Sequence, residues 1–96
     1  MGKIIGFEEI GVGGSPVGLN PSIYAPSQGD AAAKAFITAE GGDMRYRLDG
    51  QDPTASTGHL LVDSNLLRLD EIVLIRNFRV IQSAVDSGKL TVSYES

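Results

Sequence analysis

The stretch Gly88-Lys89-Leu90-Thr91-Val92-Ser93-Tyr94-Glu95 decides the fold class. Leu90, Val92 and Tyr94 alternate with Lys89, Thr91, Ser93 and Glu95, the period of a strand with one buried face and one wet face. Ser87-Gly88 turns the chain into it. Upstream, Phe78, Val80 and Gln82 share a face opposite Arg79 and Ile81, and Ile72 to Ile75 is a continuous apolar run of the kind a sandwich-core strand carries. Two leucine-bearing strands, His59 to Val62 and Leu66 to Leu69, are split by the turn residues Asp63-Ser64-Asn65. Pro53 makes a loop of residues 51–58. Further back, Ala35, Ile37 and Ala39 alternate with Lys34, Phe36, Thr38 and Glu40. Gly41-Gly42-Asp43 tolerates positive φ, and Met44, Tyr46 and Leu48 then alternate with Arg45 and Arg47, which predicts a hairpin with its apolar face inward. The one helix-friendly stretch, Asp30 to Ala35, runs into the β-rich Phe36-Ile37-Thr38 and is given one turn at most. Short β-branched or aromatic runs punctuated by twelve glycines and four prolines predict an all-β chain, a small sandwich or barrel.

The first thirty residues look different. Gly11, Gly13, Gly14, Pro16, Gly18 and Pro21 separate isolated apolar positions such as Ile5, Phe7, Ile10 and Val12. This segment is expected to give one or two edge strands within Val17 to Tyr24, preceded by an extended N-terminal arm, residues 1–14, that orders against a partner. Residues 15–96 then form the β-sandwich core of a single domain spanning residues 1–96. A chain of this length buries roughly 64% of the surface it exposes unfolded, so its core is thin and association of subunits would reinforce it.

Charge and composition exclude several classes of function. Eight basic against twelve acidic residues give a net charge of −4, the wrong sign for a chain that neutralises phosphates, so no nucleic-acid partner is expected. Apolar stretches are only a handful of residues long, which predicts no membrane span and a soluble domain made in the cytoplasm. With no cysteine and one histidine, His59, disulfides and the usual zinc clusters are excluded, and no cofactor or metal is expected. Gly11, Gly13, Gly14 and Gly18 are followed by no Lys-Ser/Thr and no helix, so they do not make a phosphate cradle. A triad around His59 would draw its serines from plain turns, and no catalytic residues are assigned. Asp49 and Asp52 fall short of the six to eight oxygens of a calcium site, and Asp49 is expected to cap nearby amides in a turn.

Surplus apolar strand surface points instead to contacts between subunits. The candidate partner-binding residues are Ile4, Ile5, Phe7 and Ile10 in the arm, with Arg76 and Arg79 offered to an acidic protein surface. The alternative for the arginines is pairing with Asp and Glu on neighbouring strands.

Tyr46-Arg47-Leu48-Asp49-Gly50-Gln51-Asp52-Pro53-Thr54-Ala55-Ser56-Thr57-Gly58-His59-Leu60-Leu61, followed by Ile75-Arg76-Asn77-Phe78-Arg79-Val80-Ile81 and Leu90-Thr91-Val92-Ser93-Tyr94-Glu95, resembles a family of small structural proteins of tailed bacteriophages. The resemblance covers roughly residues 35–95, with residues 12–24 also fitting how such proteins begin. It implies a small β-sandwich or jelly roll, with no enzymatic activity. The implied role is a capsid decoration, or cement, protein that binds the major capsid protein as a homotrimer on the outer surface of the virion head. A tail, baseplate or head-tail joining component is the alternative within the virion. The Asp49-Gly50 to Thr54 turn is also similar to that of the immunoglobulin-like modules of chitobiase-type glycosidases. A sugar-binding module would need an exposed aromatic platform, and strand phase leaves Tyr24 as the tyrosine free to supply it.

Overall fold

The alternation of residues 88–95 becomes the longest central strand of a computed structural model that describes residues 3–27, 29, 31–83 and 87–96. Met1-Gly2 of the expected arm and the expected helix cap at Asp30 lie outside the described residues. In chain order the elements are β1 (Ile4–Val12), β2 (Val17–Gly18), α1 (Pro21–Tyr24), β3 (Lys34–Glu40), β4 (Met44–Arg47), β5 (His59–Leu61), β6 (Leu66–Leu69), α2 (Ile72–Asn77), β7 (Arg79–Gln82) and β8 (Gly88–Glu95). They form two four-stranded antiparallel sheets, a first in the order β1-β8-β3-β6 and a second in the order β2-β7-β4-β5.

The order has a simple rule: β1 pairs with β8, β2 with β7, β3 with β6 and β4 with β5. The chain is thus one long antiparallel ribbon, folded back at the β4–β5 loop and rolled so that successive strand pairs alternate between two layers. This is the winding of a jelly roll, and the small all-β sandwich expected from the sequence is what forms. Inward-phase side chains of both layers make the core. Leu90, Val92 and Tyr94 of β8 and Ile37 of β3 meet Met44 of β4 and Val80 of β7, all without exposed surface.

Several local expectations are corrected. Residues 4–12 are not an arm awaiting a partner: they are β1, registered against β8 from Ile4 opposite Glu95 to Val12 opposite Gly88. The isolated apolar positions Ile5, Ile10 and Val12 suffice, because β8 supplies the partner and the core supplies the apolar face. Residues 35–48 do not form a hairpin. β3 and β4 belong to different sheets, and Gly41, at φ +94°, turns the corner between layers while its amide donates to Asp63 Oδ1 at 3.1 Å. Hairpin and corner share the same turn residues, so local chemistry does not separate them.

Ile72 to Ile75 is not a strand but the start of α2, where the Leu74 and Ile75 amides donate to the Glu71 carbonyl. The chain must cross there from β6 at the edge of one sheet to β7 in the other. A short helix that buries Ile75 against the sandwich end overrides β propensity. Val17 to Tyr24 yields only the two-residue edge strand β2 before α1, whose first turn is set by Pro21 and by the Asn20 side chain accepting from the Ser22 amide at 2.9 Å. Residues 31–33 carry no helical turn, and β3 begins at Lys34.

Candidate interaction face

The two sheets treat their outer faces differently. On the second sheet, strand register puts Arg45, Arg47, Arg79, Ile81 and Leu60 on the side away from the core. The loop between β4 and β5 folds back over this side. Asp52 pairs with Arg79 at 3.0 Å, Asp49 with Arg47, and the Gly58 carbonyl accepts from Arg45 Nη1 at 3.0 Å, with Pro53 buried beneath. Asp49 also accepts from the Gln51 amide, the turn-capping role expected of it. The Arg47 guanidinium holds the Asp49 carboxyl below its ordinary pKa, and Asp49 raises that of Arg47. The loop therefore covers much of this side, with Arg47 and Arg79 matched by its carboxylates and Arg45 by its Gly58 carbonyl.

The outer side of the first sheet is open. Reading across the strands, the register gives one row Phe7–Ser93–Phe36–Arg68 and a second row Glu9–Thr91–Thr38–Leu66. Flanking rows carry Ile4, Glu95 and Lys34 at one end and Gly11, Lys89 and Glu40 at the other. Ile4 is 60% exposed, Phe7 58%, Leu66 51% and Phe36 40%. Among the described residues these are four of six exposed large hydrophobic side chains, the others being Leu60 on β5 and Val73 on α2. Scattered apolar residues are ordinary on a surface, but a group on one face makes a candidate contact surface. The Arg68 guanidinium lies 5.7 Å from the Phe36 ring centre, and Lys89 bridges Glu9 and Glu40 at 3.1 and 3.0 Å. Those carboxylates, Glu40 foremost, raise the Lys89 pKa.

The six residues singled out from the sequence do not form one site. Ile4 and Phe7 share the open face, because a register shift between Ile4 and Gly6 inserts Ile5 as an extra residue. Without it, a spacing of three would point them to opposite sides. Ile5 and Ile10 turn inward and pack on the core, and Arg79 is held by Asp52 on the opposite sheet. Arg76 is exposed on α2 and, among the described residues, forms no ion pair. Phe36, Leu66 and Arg68 complete the face but were not singled out. Phe36 carries the readable signal, standing in the outward phase between buried Ala35 and Ile37.

The tyrosines are spent on structure. Tyr24, expected to be free, is buried with its ring 6.0 Å from that of Tyr94, and Tyr46 stacks on Phe78 at 5.7 Å. Exposed His59 on edge strand β5 lies 5.3 Å from the Tyr46 ring. Tyr94 donates its hydroxyl to Glu8 Oε2, which also accepts from the Asn20 amide at 3.1 Å. Burial, reinforced by the Glu8 carboxylate, raises the Tyr94 phenol well above its ordinary value of 10.0. A raised folded-state pKa means that this contribution is complete below about pH 10 and is lost as pH climbs from there toward the folded value. Tyr94→Phe is expected to cost about 1 kcal/mol at neutral pH and to flatten the alkaline fall in stability. Urea unfolding of both proteins from about pH 7 to about pH 11 checks this; parallel curves would refute it.

No family model, no curated protein and no solved structure matches this chain.

Proposed function

We propose that this chain is a non-enzymatic structural protein of a tailed-phage virion, a capsid decoration protein that stabilises the mature head. One observation carries the reading: a small, tightly rolled sandwich covers one sheet face with its own loop and leaves the other open, with Ile4, Phe7, Phe36 and Leu66 exposed among its charged residues. Such a face suits permanent contact with a neighbouring subunit better than turnover of a small molecule. Jelly rolls serve viral shells, lectins and metal-dependent cupins alike, so the fold does not choose among them. The side chains favour the first. Among the described residues no cluster of three His, Cys, Asp or Glu is placed to hold a metal, and the buried or stacked tyrosines offer no sugar platform. The family resemblance of residues 35–95 points the same way.

Mechanically, a decoration protein binds only the capsid arrangement that it can span, and its binding free energy becomes capsid stability by linkage. Linked copies bind with avidity, so each contact can be modest. Exposed Arg76 at the end of the sandwich offers such a contact to an acidic shell surface. Quantitative mass spectrometry of purified virions is the test. A copy number comparable to that of the major capsid protein is expected. A trace ratio would move the chain to the tail or neck, and absence from the particle would overturn the reading.

A further inference from the structure

We infer that the open face of the first sheet is the interface of a symmetric dimer, occupied by the same face of a second copy of this chain. The inference does not rest on the virion role, and it departs from the threefold association implied by the family resemblance.

It begins with charge. The chain carries a net −4, yet the open face has three acidic residues, Glu9, Glu40 and Glu95, and three basic ones, Lys34, Lys89 and Arg68, so its own sum is zero. Two copies meet there without the repulsion that the rest of the surface would impose. The arrangement of charges is also self-complementary. On β8 and β3 one end of the face reads Glu95 and Lys34, and the other end reads Lys89 and Glu40, across the strands in the same order.

Consider a twofold axis lying between two stacked sheets, perpendicular to the strands and above Val92 and Ile37. It sets each strand antiparallel over its own copy. Glu95 then lies over Lys89 of the second copy, Lys34 over Glu40, Ser93 over Thr91, Phe36 over Thr38 and Arg68 over Leu66. A twofold interface requires such reciprocity, residue i on j and j on i. Both ends match in charge, and the large Phe36 side chain meets the smaller Thr38. At the edge, Phe7 comes beside Glu9 and Ile4 over Gly11, which leaves room for both apolar side chains. Stacked sheets cross at about 30°, which shifts the outer rows sideways but keeps the central ones in contact.

Area is sufficient. Four strands spaced about 4.8 Å apart, averaging about seven residues at about 3.3 Å each, span roughly 440 Å² in projection per copy. The protruding Ile4, Phe7, Phe36 and Leu66 side chains raise the accessible area beyond that. The pair therefore reaches the ~1,000 Å² expected of a specific interface.

Sedimentation equilibrium over a concentration series tests the pairing. The wild-type chain is expected to be a dimer. Phe36→Asp, a change at a solvent-exposed position beside Arg68, is expected to be a folded monomer with an unchanged circular dichroism spectrum. Lys34→Glu alone and Glu40→Lys alone each place like charges opposite one another twice and are expected to weaken the dimer about tenfold or more. The double variant restores opposite charges across this particular axis and is expected to recover most of the loss. A monomeric wild type at about 100 μM, well above the Kd of a specific dimer, would overturn the inference. So would a trimer, or a double variant no tighter than the single ones. If the virion count fails while the charge swap rescues, the role falls and the pairing stands.

Discussion

Tyr94→Ala is expected to remove about 3–5 kcal/mol of stability, a large fraction of what a domain of this size possesses. Tyr94 has no exposed surface, sits on the central strand β8 between Gly6 of β1 and Ala35 of β3, and packs against Tyr24. Its cross-strand neighbours are the small residues Gly6 and Ala35, so little can collapse into the space it leaves. A second loss adds to the cavity. Glu8, half-buried, loses the hydroxyl that donates to it and keeps only the Asn20 amide as a described donor. A fall in the urea midpoint with the slope unchanged is the expected signature, and the comparison with Tyr94→Phe separates ring volume from hydrogen bond. If Tyr94→Ala unfolded within about 1 kcal/mol of wild type, the ring would not be the keystone of the first sheet.

Gly58→Ala is expected to cost about 2–4 kcal/mol, although the position lies in a surface loop. Two causes act together. Gly58 has φ +134°, a conformation that L side chains rarely adopt, and an added Cβ would lie 3.0 Å from the Tyr46 carbonyl oxygen and 3.3 Å from both Arg45 Cβ and Pro53 Cβ. Relief requires the loop to lift, which breaks the Gly58 carbonyl contact with Arg45 and loosens the cover over the second sheet. Gly13→Ala, where an added Cβ meets nothing within 4 Å, is the control and should differ from wild type by less than about 0.5 kcal/mol. Equal midpoints for the two variants would show that the loop is not held as described.

Legibility in the sequence tracked how local the determinant was. Period two in β8 and β3 reports burial directly, and both strands formed with the expected face inward. Gly41-Gly42-Asp43 marks a reversal but not whether the next strand stays in the sheet, since that depends on β6 and β8 already flanking β3. Ile72 to Ile75 shows apolar character without a period, and only its position between two layers makes it α2. The open face was half visible. Phe36 and Leu66 stand in outward phase, whereas Ile4 and Phe7 reach the same side only through a bulge that no residue spacing announces.

The rolled ribbon has a consequence for how the molecule is made. Ile4 finds its place opposite Glu95, so β1 leaves the ribosome well before β8, the strand that satisfies its edge. Contacts between such distant parts of a chain slow folding, because loop closure is paid before pairing rewards it. During synthesis β1 therefore emerges with Ile4, Ile5, Phe7 and Ile10 uncovered. Glu8 and Glu9 stand in the middle of that strand, and charges interrupting an apolar strand discourage nascent chains from adding to one another's edges.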